Sequence, residues 1–360
     1  MSFITLIIVI SILVFVHEFG HFIVAKKTGV RVDEFSIGFP PRLFSKKYGE
    51  TLYSINLIPF GGYVKIFGEN PNEESLSGPD SKRSFVNKPR HIQATILVAG
   101  IAMNILFAWV LVSLSFMLGV SRVPVDASSG SAIFVTEVMK DSPAFTSGIK
   151  TGDVIVGIVD VSNKSYDKVS SEFIREIVSN SKGKPVAITY KRDGETFKTS
   201  IIPKSGVAKD KLAIGIAMTN IETVKLGFFA AFVEGAKTTW TLSVDTTRGI
   251  LGFFGSVFSF RADLSQVSGP VGIAGFLNQA RQFGASTLFS FVALISINLA
   301  VINLMPFPAL DGGRLFFVAI ESVIRRPINP KISNAINLIG FGILMLLMIT
   351  ITVSDVGKLF

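Results

Sequence analysis

From residue 3 to residue 25 the only ionisable side chains of a largely apolar run belong to one cluster, His17-Glu18-Phe19-Gly20-His21. About 20 consecutive apolar residues is the length of a helix that crosses a bilayer. A carboxylate at the centre of such a helix costs about 2.5–3.5 kcal/mol even on insertion scales, so Glu18 is there for a reason other than packing. On a helix, residues four apart share a face and are separated by about 6 Å along the axis. His17 and His21 therefore reach one metal ion together, with Glu18 pointing beside it. Gly20 has no chemistry to offer and reads as a point of close helix approach.

Three further stretches have spanning length, at residues 92–120, 286–305 and 332–352. With 49% hydrophobic residues and 32 phenylalanines, the composition exceeds what a water-soluble domain carries. The expected fold class is a polytopic α-helical membrane protein of about four spans, with the lipid bilayer as its surroundings. The net charge of +9 does not point to nucleic acid, because the basic residues are dispersed among apolar spans without interleaved aromatics. They report topology instead. Lys26, Lys27, Arg31, Arg42, Lys46 and Lys47 follow the first span, and Arg314, Arg325, Arg326 and Lys331 separate the third from the fourth. Both loops are then cytoplasmic, and the long middle region and both ends lie outside. Nothing basic precedes the first apolar run and no small-residue cleavage site follows it, so it reads as a span and not as a signal peptide.

The chain has no cysteine and only three histidines, His17, His21 and His91. A transition-metal site here has to be built from imidazole and carboxylate. The carboxylate lies far along the sequence, in Asn303-Leu-Met-Pro-Phe-Pro-Ala-Leu-Asp-Gly-Gly-Arg314. Spans one and three cross in the same direction, which brings Asp311 to the leaflet of His17 and His21. Three protein ligands with one open position is the pattern of catalytic zinc. Taken alone, Asp311 reads as a turn residue before Gly312-Gly313, and Asn303 as an interhelical amide contact. The two prolines, Pro306 and Pro308, end the helix.

Between the second and third spans the composition changes. Residues 121–217 carry strand-like runs at 133–138, 186–191 and 196–202, the last two joined through Asp193-Gly194. They also carry a helix start at Ser142-Pro143 and a helical stretch near residues 172–178. This is an inserted α+β domain. Residues 218–283 read as a helical linker, and within them residues 224–260 fit either an interfacial helix or a fifth span. The loop after the first span holds a membrane-associated β-hairpin at about residues 50–67, with two strand-prone runs around Pro59 and Gly61-Gly62. Its edge at Gly61, Gly62, Tyr63, Val64 and Lys65 can pair with an extended substrate; the other reading is an amphipathic hairpin on the membrane surface.

Taken together, these motifs resemble the site-2 protease family, peptidase family M50, in its bacterial single-PDZ branch. The resemblance covers the His-Glu-x-x-His of the first span, the Gly61-Gly62-Tyr63 hairpin, a PDZ-type insert, Ser268-Gly-Pro-Val-Gly-Ile273, and the segment from Asn303 to Gly312. It implies one zinc ion per chain held by His17, His21 and Asp311, with Glu18 as the catalytic base and Asn303 holding the substrate backbone. It also implies an intramembrane endopeptidase of the bacterial cytoplasmic membrane, its active site toward the cytoplasmic side. The implied substrates are transmembrane segments of single-pass proteins such as anti-sigma factors or signal-peptide remnants. The insert, outside the membrane, is expected to select among them, either by binding peptide termini or by obstructing substrates with bulky outer domains. Ile101 follows Gly100 where the family carries proline, which leaves the helix geometry near Asn104 open. The alternative is a PDZ-bearing membrane scaffold with an idle metal site, against which the costly Glu18 argues. A proton relay through Glu18 and Asp311 lacks a chain of ionisable groups across the bilayer.

Overall fold

The computed structural model describes residues 2–70, 73–122, 132–167, 169–192, 194–208, 211–259, 268–326 and 328–357. Asp193 and Phe260, which bound two of the expected elements, lie outside them. In chain order the elements are α1 (Ser2–Lys27), β1 (Val32–Tyr48), β2 (Thr51–Ile66), α2 (Glu73–Ser77), α3 (Arg90–Leu118), β3 (Val120–Arg122), β4 (Ala132–Val138) and α4 (Pro143–Thr146). There follow β5 (Val154–Val159), β6 (Ser165–Tyr166), α5 (Ser171–Asn180), β7 (Val186–Arg192), β8 (Glu195–Ile201), β9 (Lys204–Ala208), β10 (Lys211–Ala213) and β11 (Ile216–Val224). Five helices complete the chain: α6 (Phe228–Phe258), α7 (Pro270–Gln282), α8 (Ala285–Leu304), α9 (Asp311–Ile324) and α10 (Pro330–Gly357). Two compact units result, one of residues 1–117 with 227–360 and one of residues 118–226.

Among the described residues, four helices are long and apolar enough to cross a membrane: α1, α3, α8 and α10. Helix α6 is not one of them, because Glu234, Lys237, Asp245 and Arg248 punctuate it. Helix α3 runs without interruption through Ile101, so the missing proline leaves it regular. Gly20 of α1 faces the backbone of α3: a Cβ there would run into the Ala99 carbonyl and lie 2.9 Å from Met103 Cβ. Any side chain at this point forces the two helices apart. Nearer the N-terminus of α1, Leu6, Val9 and Leu13 pack with Ala274 and Leu277 of α7. The first turn of α7 is held from α10, where Asp355 Oδ2 accepts from the Gly269 and Gly272 amides at 2.7 and 2.9 Å.

The β structure of the loop after α1 is larger than the hairpin expected from residues 50–67, and its pairing differs. The two runs around Pro59 do not pair with each other. Residues 32–37 lie between them, paired with residues 62–66 on one side and with residues 52–55 on the other, while residues 42–48 pair with residues 51–56. The charges of residues 32–37 conceal their strand character in the sequence. Glu34 is accommodated because Arg42 Nη2 and Ser54 Oγ donate to its carboxylate at 2.8 and 2.6 Å. Residues 62–66 have no second partner strand among the described residues and form an edge.

The second unit holds a mixed arrangement of strands and two short helices around Ile133, Val135, Ile155, Ile158, Ile174 and Ile188. The strand order is β3-β11-β4-β5-β7-β8, with β6 beside β5. Ser142 and Ser170 cap α4 and α5 by accepting from the amides of Phe145 and Phe173. The unit extends past residue 217, the boundary read from the sequence. The reason is β11, which pairs with β4 along residues 216–221 and returns to β3 through residues 222–224. Its polar alternation is that of a strand solvated on one face, which resembles a linker when read as composition.

The Gly20 contact gives a direct expectation. Gly20→Val should lower the stability of the metal-free protein by about 1–3 kcal/mol through overpacking. Gly275→Ala, in α7 with nothing within 4 Å of the added methyl, should leave it unchanged or slightly raised. Thermal unfolding of both variants in detergent checks the pair.

Candidate metal centre

Helix α1 places His17 and His21 on one face, and the backbone between α8 and α9 delivers Asp311 to them. That backbone is shaped by its sequence. Met305 leaves the helix in an extended conformation, Pro306 and Pro308 prevent it from resuming, and Ala309 takes a φ of 72°. Ala309 N is held by Asn337 Oδ1 of α10 at 3.2 Å. Asp311 then opens α9. Gly312 follows because its α-carbon sits against the carbonyls of Leu304 and Met305, where a side chain has no room.

The three donor atoms converge. His17 Nε2 lies 2.8 Å from Asp311 Oδ2, His21 Nε2 lies 3.2 Å from the same oxygen, and the two Nε2 atoms are 3.2 Å apart. Tetrahedral zinc with bonds of about 2.0–2.2 Å spaces its donors about 3.3–3.5 Å apart, so the ion fits with a few tenths of an ångström of adjustment. Both histidines are buried. His21 Nδ1 donates to the Ile96 carbonyl of α3 at 2.8 Å, which leaves its Nε2 lone pair facing Asp311. Gly100 of α3 stands where a side chain would strike both rings, with His17 Cε1 only 2.9 Å from its would-be Cβ.

Glu18 does not join the three donors. Its Oε2 accepts from the Val64 amide at 3.0 Å, so the edge of the loop sheet reaches the carboxylate beside the metal site. The same edge is tied to α1 deeper in the span, where Gly61 N donates to Ser11 Oγ at 3.3 Å and Ser11 Oγ donates to the Pro59 carbonyl. Of the residues Gly61, Gly62, Tyr63, Val64 and Lys65, the first and the fourth thus meet α1 directly, at Ser11 and at Glu18. Asn303 sits half-buried in the last turn of α8, and its amide makes no hydrogen bond to a described residue.

The sequence reading did not find the contributions of α3. Ile96, Gly100 and Asn104 recur at a spacing of four along its buried face, and the small Gly100 with the polar Asn104 in an apolar helix is the signal the sequence offers. The ion pair between Arg314 of α9 and Glu69, just beyond the edge strand, was also unforeseen, since nothing local links the two.

A membrane-buried pair of histidines four residues apart, completed by an aspartate from a broken helix, defines a metalloprotease-type centre. The sequence profile of peptidase family M50 matches residues 5–347, and the chain belongs to that family. It is a zinc metalloprotease and an integral membrane protein. Zinc metalloprotease RasP of Shouchella clausii is 30% identical, with 98% of this chain and 98% of the relative covered. The regulator of sigma-W protease RasP of Bacillus subtilis is also 30% identical, over 99% of this chain and 98% of its own. Among solved structures, the PDZ domain of an SdrC-like protein from Listeria monocytogenes is 26% identical over 26% of this chain and 93% of its own, with a TM-score of 0.22.

If the three donors form one site, purified wild-type protein binds one zinc per chain, whereas His21→Ala and Asp311→Ala bind less than a tenth of that after dialysis. Elemental analysis of the three proteins decides it; full zinc in both variants would remove them from the ligand set.

Proposed function

We propose that this enzyme hydrolyses peptide bonds in transmembrane segments of single-pass membrane proteins, with His17, His21 and Asp311 as the zinc ligands. The observation that carries the reading is Glu18 on a spanning helix, beside the three donors and hydrogen-bonded to an unpaired strand edge. A soluble substrate would not require this chemistry at bilayer depth. Zinc, when bound, supplies Lewis acidity toward a water molecule and a peptide carbonyl. The chain's own residues do the rest. Glu18 takes the proton from the attacking water and returns it to the departing amine, and the Val64 N–H fixes the carboxylate for that exchange.

A peptide bond in a helix is shielded by its own hydrogen bonds, so the substrate has to unwind locally before cleavage. The edge at residues 62–66 offsets the lost bonds by adding the extended substrate as a further strand. Asn303, its amide unengaged, supplies a further hydrogen bond to the substrate backbone. The basic loops support an active site toward the cytoplasmic side and an insert outside. Within the insert, a cavity of about 660 Å³ lies between Ile174 and Val178 of α5 and residues Ile214 to Met218. An extended peptide terminus fits there beside β11, and we assign the insert to substrate selection.

The test is Glu18→Gln, which should retain zinc and fold while losing at least a thousandfold in cleavage of a model transmembrane substrate. Cleavage at the wild-type rate would remove Glu18 from the mechanism, and loss of zinc would recast it as a ligand.

The strand edge generates its own expectation. Val64→Pro removes the one amide donor aimed at the site. It should slow cleavage of an intact helical substrate at least tenfold with zinc content unchanged, and slow cleavage of a short extended peptide less. Equal slowing of both substrates would assign the Val64 N–H to holding Glu18 alone.

A further inference from the structure

Asn104 lies in the middle of α3 with no solvent exposure, its Nδ2 3.3 Å from His17 Nδ1. Its Oδ1 is buried and has no hydrogen-bond partner. Its backbone is anchored separately, since Ser296 Oγ of α8 donates to the Asn104 carbonyl at 2.8 Å. The side-chain amide is thus free to serve His17, and among the described residues it holds the only atoms recorded within hydrogen-bond distance of His17 Nδ1.

The chemistry of the donor set decides which amide atom belongs there. An imidazole that gives its Nε2 lone pair to a metal carries its remaining hydrogen on Nδ1. For His21 that hydrogen already meets the Ile96 carbonyl. For His17 it would meet the Asn104 NH2, a donor facing a donor. Turning the amide over exchanges its nitrogen and oxygen at nearly unchanged positions. The Oδ1 then accepts from His17 Nδ1–H, and the meeting of two donors is removed.

We propose that Asn104 is a positioning residue for the metal centre, presenting Oδ1 to His17 Nδ1–H so that the His17 Nε2 lone pair faces Asp311 and His21. Helix α3 then holds both imidazoles by the same device, a backbone carbonyl for one and a side-chain carbonyl for the other, with Gly100 between them. Oxygen partners of this kind fix the tautomer and raise the basicity of a ligating ring, and losing one typically weakens metal binding 10- to 100-fold. The proposal rests on His17 as a zinc ligand.

With three histidines in the chain, full-length protein labelled with ¹⁵N-histidine in lipid nanodiscs gives a spectrum of three rings. His17→Ala identifies the His17 signals and also tests the ligand set: zinc binding equal to wild type in that variant overturns His17 as a ligand, and the proposal with it. In zinc-loaded wild type the His17 and His21 Nδ1 protons should both be shifted downfield and protected from exchange. Asn104→Leu should abolish this for His17, leave it for His21, and weaken zinc binding 10- to 100-fold in competition with a chelator. Asn104→Asp, which keeps an acceptor at the same place, should restore both the His17 signal and zinc affinity to within a few-fold of wild type. An unchanged His17 signal and zinc affinity in Asn104→Leu would overturn the proposal. So would equal zinc loss in the Leu and Asp variants with the His17 signal intact, which would assign Asn104 to packing alone.

Discussion

Polar side chains on a spanning helix are costly unless protein groups meet them, and the arrangement of helices around the metal centre follows from that constraint. His17, Glu18 and His21 sit close together on an otherwise apolar helix, and protein groups meet each of the three. Two different neighbours divide the work. Helix α3 comes close enough, across Gly20 and Gly100, to offer the Ile96 carbonyl and Asn104 to the imidazoles. The loop sheet comes from another side and offers the Val64 amide to the carboxylate. The chain break before α9 supplies the third donor, Asp311. Its irregular backbone is tolerable there because Asn337 holds the Ala309 amide and because Gly312 lets the first turn of α9 settle against the carbonyls it follows.

What the sequence made legible were the features encoded in a few adjacent residues. The spacing of His17 and His21, the two prolines before Asp311 and the apolar lengths of α1, α3, α8 and α10 each declare themselves locally, and the centre could be assembled from them. Ser142-Pro143 announced α4 in the same way. What stayed hidden depended on pairing between distant segments. Residues 32–37 carry Asp33 and Glu34, and only the folded sheet reveals that Arg42 and Ser54 make Glu34 acceptable in a strand. The extent of the insert was misjudged because β11 is recognisable as a strand chiefly by its return to β3, and Asn104 gave no sign of its partner because a helix-to-helix contact leaves no spacing rule in one segment.

An exposed strand edge is ordinarily a hazard, open to pairing with any extended chain that meets it. Here the edge at residues 62–66 is kept along α1 by Ser11 and Glu18, where few extended chains have access. Under the proposed function, the same unsatisfied backbone that endangers a soluble protein would become a selective feature in this position, open to a segment that has lost its helical structure. The ion pair between Arg314 and Glu69 joins the end of this strand to the helix that begins with Asp311, so the backbone that would bind a substrate and the backbone that bears a ligand are directly connected.

Helix α10 presents Leu338, Ile339, Phe341, Leu346 and Ile349 outward and has the appearance of a simple lipid-facing anchor. Near its end, however, Asp355 holds the first turn of α7, and α7 in turn supports Leu6, Val9 and Leu13 on the half of α1 away from the metal centre. The membrane unit is therefore closed on itself: its last helix grips its first through a single intermediary. Such a closure means that α1 is not fully braced until α10 has been synthesised and inserted, so the centre would assemble late in biogenesis, and a nascent chain halted before α10 would carry the ligands without the scaffold that holds them.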